Sequence, residues 1–159
     1  MKQQRMSISV PSLLFVLSLL FIVSVRAEEK RIGKSDLPPA VQKAADEQSK
    51  GATVKAYNKE IENGKVEYEV ELIVNGHSRD VSMDPQGNIL EVEEEVAPDL
   101  LPAAVRDGLQ QKAGKGTIVK VESLTKHGTL VAYEAQVHTG AKHSEVQVGP
   151  DGKPLGHKE

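Results

Sequence analysis

The chain contains no cysteine and no tryptophan. Without cysteine there can be no disulfide framework and no thiol nucleophile, so a small chain must hold itself together by packing alone. Both phenylalanines, Phe15 and Phe21, fall in one apolar run near the N-terminus, which leaves Tyr57, Tyr68 and Tyr133 as the only aromatics beyond it. Stacking platforms for bases or sugars are therefore nearly absent. The core has to be assembled from Val, Leu, Ile and Ala, and modest stability is expected. A basic excess is missing as well: the whole chain carries a formal charge of −3. That excludes the positive footprint of a general nucleic-acid binder and of docking on anionic membranes.

What is present begins with "MKQQRMSISVPSLLFVLSLLFIVSVRA". Lys2 and Arg5 precede an apolar run from Leu13 to Val25, and Val25 and Ala27 supply the small residues of a signal-peptidase site. The run is shorter than the roughly 20 residues a membrane-spanning helix needs. Residues 1–27 therefore read as a signal peptide cleaved after Ala27, with a short linker over 28–35. Lys2, Arg5 and Arg26 would leave with it, and the remaining 17 basic and 23 acidic residues give −6. A periplasmic or secreted protein is expected.

The rest of the chain reads twice. "SDLPPAVQKAADEQSKG" places Leu37, Val41 and Ala44 or Ala45 at helical spacing, with Asp36 as N-cap and Gly51 as the stop. "PDLLPAAVRDGLQQKAGKG" repeats the stripe as Leu101, Val105 and Leu109, although Gly108 inside that helix costs about 1 kcal/mol relative to Ala. Alternating stretches follow each helix. In the first unit they are Val54–Ile61, Lys65–Val74, Ser78–Met83 and Ile89–Val96; in the second, Thr117–Thr125, Thr129–Thr139, Lys142–Val148 and a stub after Pro154. Pro154 has no N–H, so that stub is short or on an edge. Leu37-Pro38 maps onto Leu101-Pro102, Tyr68-Glu69 onto Tyr133-Glu134, and Pro85-x-Gly87 onto Pro150-x-Gly152, at a shift of 64 to 65 residues. This is a domain duplication, with repeats over 36–96 and 97–159. The expected fold is α+β, two tandem repeats, each one helix packed on a three- to four-stranded antiparallel sheet.

A helix, then "GKVEYEVEL" at Gly64–Leu72, then "DPQGNIL" at Asp84–Leu90, resembles the PepSY-like family, whose domains are related in shape to the tandem repeats of a secreted beta-lactamase inhibitor protein. The resemblance covers Asp36 to Gly156. In the second unit the last strand is eroded, and Ala135 and Gln136 replace bulkier or charged residues. It implies a helix on an antiparallel sheet in exported bacterial proteins, and protein binding or inhibition. It brings no catalytic motif.

Asn75-Gly76 is a strong two-residue hairpin signal. Pairing then follows by counting: Val74 faces His77, Leu72 faces Arg79, Val70 faces Val81 and Tyr68 faces Met83, on the side expected beneath the helix. The opposite side carries Glu67, Glu69 and Glu71, with Asp80 and Ser82 across from them, and the fourth strand adds Glu91, Glu93 and Glu95. Such an open acidic face is a solvated surface, a docking surface for a basic partner, or a calcium site. Calcium takes about six to eight oxygens from a shaped loop, which a flat sheet gathers poorly. The candidate partner-binding residues are Glu67, Glu69, Glu71, Asp80, Glu91 and Glu93. In the second unit a turn at Gly140-Ala141 puts His138 opposite His143, near Glu145. Cross-strand neighbours lie roughly 5 Å apart at Cβ, close enough to share zinc or copper.

Catalysis finds no foothold in the sequence. No glycine-rich phosphate loop or HExxH is present, each His falls on an exposed strand position, a turn or the tail, and an open face supplies no pocket to separate carboxyl pKa values. The leading expectation is a non-catalytic binding or inhibitory module, without a cofactor, that uses its outer sheet faces on another exported or envelope protein. The alternative is a metal- or cation-binding envelope protein using His138, His143 and the sheet carboxylates.

Overall fold

The structure, a computed structural model, describes residues 29–62 and 64–159. The signal-peptide expectation lies outside the described residues. Among the described residues, eight strands and two α-helices follow one another as β1 (Lys30–Ile32), α1 (Pro39–Gln48), β2 (Thr53–Glu62), β3 (Lys65–Val74), β4 (His77–Met83), β5 (Ile89–Glu95), α2 (Ala103–Ala113), β6 (Thr117–Lys126), β7 (Thr129–Thr139) and β8 (Lys142–Val148). All eight strands form one antiparallel sheet in chain order. The α+β class holds, but two separate sheets do not. β5 pairs with β6, Glu93 opposite Leu124 and Glu95 opposite Glu122, so the ladder runs straight through the joint. Lys30–Ile32, inside the stretch read as a linker, adds an edge strand against Asn58, Tyr57 and Lys59 of β2.

Turn chemistry sets the registers. Asn75 and Gly76 both take positive φ, 52° and 91°, as the two-residue hairpin requires. The counted pairs follow, Val74–His77 through Tyr68–Met83, with Glu71 opposite Asp80. His127-Gly128 does the same between β6 and β7, with φ of 48° and 79°, so a histidine fills the place usually given to asparagine. Gly140 at φ 61° turns the last hairpin, and His138 faces His143. Beyond β8 the expected stub is a single bridge between Val148 and Pro154.

Both helices begin after a proline that needs no N–H there, Pro38 and Pro102. Asp36 is not the cap that was expected. Its carboxylate instead accepts from the Gly33 N–H at 3.0 Å and closes a short 3-10 turn over Lys34–Asp36. α1 buries Val41 and Ala45 with Val70, Leu72, Val81 and Met83. α2 buries Val105 and Leu109 with Val121, Ala135, Val137 and Val148. Each fully buried Val or Leu contributes about 1.5–3 kcal/mol. The helices therefore cover one face of the sheet, and the other face carries mainly polar side chains, with Leu124 and Ala132 buried among them.

Candidate functional site

On the helix-free face the alternation places one carboxylate after another. Glu69 and Glu91 flank Ser82, and Glu71 and Glu93 flank Asp80, in ladders running from β3 through β4 to β5. Across the joint the same face continues through Glu122 and Lys126 of β6, Glu134 and Gln136 of β7, and Glu145 and Gln147 of β8. The sheet gathers these side chains around a trough of about 1030 Å³ that reaches from Glu60 on β2 to Gln147 on β8. Five of the six anticipated residues line it: Glu67, Glu69, Asp80, Glu91 and Glu93. Glu71 is tied down instead. The buried Asn58 amide donates to Glu71 at 2.6 Å and to Glu69 at 3.0 Å, so one neutral side chain bridges two acids.

Crowding and burial alter the acids. Burial pushes the Glu69 carboxyl up to about 7, outweighing the Asn58 hydrogen bond that favours its charged form. Asp80 is pushed up to about 6 by burial, against the pull of the Lys120 ammonium. Glu93 rises to about 9 through burial, a hydrogen bond shared with Glu91, and the charges of Glu91, Glu122 and Glu134. Here the expectation of an open face that leaves carboxyl pKa values alone is corrected: the trough provides a partial burial that a fully open face would not.

Several residues of the trough escaped the sequence reading. Glu122 is only 4% exposed and is held 2.6 Å from Lys120. Its carboxylate joins those of Asp80 and Glu93, from three adjacent strands, with ligand atoms all within 4.8 Å of one another. Glu134 is 8% exposed, and burial raises its pKa against hydrogen bonds from Gln147 and Lys158. Lys126 reaches Glu91 at 3.3 Å. The available signal was the alternation Lys120, Glu122, Leu124, Lys126, read in register with β5 rather than as a separate unit.

His138 and His143 meet as counted, ring centroids 4.0 Å apart in an edge-on contact, beside a smaller cavity that Glu145 also lines. Glu145, the expected third ligand, is 2.7 Å from Lys158. His77 instead lies 3.5 Å from Glu95, at the rim of the acidic face.

One eight-stranded antiparallel sheet with two helices on one face and an acidic trough on the other defines an α+β protein of tandem build. The family model described as "Putative beta-lactamase-inhibitor-like, PepSY-like" matches residues 23–91 and 67–153, and the chain belongs to that family. Among solved structures it is similar to a BLIP-like protein from Bacteroides fragilis, at 23% identity and a TM-score of 0.55, over 75% of this chain and 83% of that one. A DUF2874 family protein from Bacteroides ovatus is 16% identical with a TM-score of 0.59, over 75% of this chain and 84% of the other. A structure from Bacteroides eggerthii described as "putative periplasmic proteins" is 17% identical with a TM-score of 0.60, over 75% and 86%. At these identities the likeness is one of fold. No curated protein matches the chain. Among the described residues no helix is long and apolar enough to cross a membrane.

Proposed function

We propose that the protein is a non-catalytic binding or inhibitory module of the periplasm or the secreted space, and that its trough receives a basic segment of another protein. The observation that carries this reading is the trough itself: partly buried carboxylates line a cavity of about 1030 Å³ on the face that no helix covers. One-signed, partly desolvated faces steer and select partners of opposite charge. The inhibitor-like description of the family supports a protein partner, and the periplasmic description of one solved relative supports the compartment. The chain is read as two duplicated units, 36–96 and 97–159, each with one helix over its own strands, in keeping with the two core clusters.

The test uses a labelled peptide of alternating lysine and serine at physiological ionic strength. The double variant Glu67→Lys/Glu91→Lys should lose at least tenfold in affinity while melting within a few degrees of the native protein. Native affinity should rise from pH 5 to pH 8 as Asp80 and Glu69 give up their protons. Binding that ignores both changes sinks the assignment.

The juxtaposition of Asp80, Glu93 and Glu122 favours a second reading, a cation held in the trough. Three carboxylates supply up to six oxygens, within reach of the about six to eight that calcium takes. His138, His143 and Glu145 would serve a softer ion once Lys158 moved aside. Calcium should then raise the melting temperature by several degrees, and Glu122→Gln should abolish the rise; zinc should act through His143 in the same way. A melting temperature indifferent to both ions removes this reading.

A further inference from the structure

The segment beyond the Val148–Pro154 bridge returns to the helix-free face, and Lys158 and Glu159 settle into the β7–β8 end of the trough. Lys158 Nζ stands 2.7 Å from Glu145 and 3.5 Å from Glu134. Gln147, only 5% exposed, engages the main chain of Glu159 with both ends of its amide. Oε1 accepts from the Glu159 N–H at 2.8 Å, and Nε2 reaches the main-chain oxygen of the same residue at 3.4 Å. Nε2 also donates to Glu134 at 2.8 Å, which fixes the orientation of the amide. The Glu159 carboxylate lies 3.8 Å from Lys126 and 3.2 Å from His157.

These contacts have the form of peptide recognition. A side-chain amide that meets the N–H and the main-chain oxygen of one residue presents the donor and acceptor that a neighbouring strand would present. It reads backbone, whatever side chain that backbone carries. Glu134 and Glu145 read the lysine before it, and Lys126 reads the carboxylate after it. Gln147 is exceptional in this face for being nearly fully buried while pairing with a main chain outside any strand.

We infer that the β7–β8 end of the trough is a peptide-binding subsite for an extended segment in which a lysine precedes an acidic residue, and that Lys158–Glu159 is its resident occupant, displaced when a partner segment of the same chemistry binds. This rests on the reading of the trough as a docking surface and names what that surface recognises at one end. Ion pairs at a surface hold weakly, so the resident segment is displaceable. While seated it lowers the apparent affinity for the partner by the fraction of molecules left open.

The probe is an acetylated, amidated Ser-Lys-Glu-Ser-Lys-Glu peptide, titrated into the full chain. Lys158→Ala should bind it about five- to tenfold more tightly than the native protein does, because the open fraction rises. Gln147→Leu, placed on top of Lys158→Ala, should lose that gain. On native protein, saturation with peptide should shift the Glu159 amide resonance and abolish its protection from hydrogen exchange, a readout that needs no variant to fold. Equal affinity for native and Lys158→Ala protein, with the Glu159 amide unmoved, overturns the resident-occupant inference and leaves the trough reading standing. Binding that shifts only resonances around Glu67 and Asp80 does the same. A Ser-Lys-Glu-Ser-Lys-Glu peptide that binds neither protein overturns the subsite inference, and only a lysine–serine peptide that also fails to bind overturns the trough reading itself.

Discussion

The two halves of the sheet share a contact between a turn and a helix, but not its clearance. In the first half, Gly87 of the turn after β4 sits against the start of α1, and a Cβ there would lie 2.6 Å from the Ala40 carbonyl oxygen. In the second half, Gly152 meets α2 at the matching place, and its Cβ would lie 2.1 Å from the Ala104 oxygen and 2.3 Å from the carbonyl carbon. Both glycines have φ of 79°. The second contact is also lined from the helix side. A Cβ on Gly108 would stand 2.0 Å from the Gly152 oxygen, whereas the position that matches it in α1, at the same 64-residue shift, is Ala44. The looser turn tolerates an alanine on its helix, and the tighter one demands a second glycine. Gly108 therefore gives up about 1 kcal/mol of helix propensity for backbone approach.

Three substitutions sharpen this difference. Gly152→Ala combines a left-handed backbone with a backbone clash and should cost about 3–4 kcal/mol in urea unfolding. Gly87→Ala, with more room, should cost about 2 kcal/mol. Gly108→Ala should destabilise by about 1–2 kcal/mol even though alanine is the better helix former, because the clash exceeds the propensity gain. A Gly108→Ala variant more stable than the native protein would show that the second contact is no tighter than the first.

The acidic face separates the halves again, and by a smaller energy. The carboxyls raised furthest, Glu69, Asp80 and Glu93, belong to β3–β5, whereas the second half, where burial also raises Glu134, sets Lys120 against Glu122 and Lys158 against Glu134 and Glu145. Acids with folded pKa values above their unfolded ones bind more protons when folded, so their contribution is full below about pH 4 and is lost as pH rises through about 6, 7 and 9. Melting temperature should accordingly fall by several degrees between pH 5 and pH 9. Glu93→Gln keeps the hydrogen-bonding shape without the charge and should recover about 1 kcal/mol at pH 9 and almost nothing at pH 5. A melting temperature that climbs over that range would mean the crowding is relieved in solution.

Local chemistry was legible in the sequence and the continuity of the sheet across the joint was not. Asn75-Gly76 and Gly140-Ala141 set their hairpins outright, so the Glu71–Asp80 and His138–His143 pairs follow from counting outward from each turn. Alternation named the carboxylates of one hairpin. It could not say that the sheet continues past Pro98, so Glu122 and Glu134 were left out, and without them the acids looked solvated. Asn58 was hidden for a related reason: a single amide in an alternating strand has no pattern, and its two partners lie 11 and 13 residues on. Gly108 was read as a flaw of its helix because only the turn 44 residues later gives it a purpose.

The strand order has a kinetic meaning. Each strand pairs with its predecessor in the chain, within a hairpin in most cases and across a helix for Ile32 with Tyr57 and Glu91 with Lys126, so no strand has to pair past an intervening one. Contacts of short sequence separation are the quickest to close, and topologies built from them fold fast for their size. A sheet this wide is ordinarily a slow structure, with half-made edges exposed to other chains. Here it can lengthen one hairpin at a time from its N-terminal end, with a single growing edge, and each helix can seal the strands beside it before the next hairpin begins.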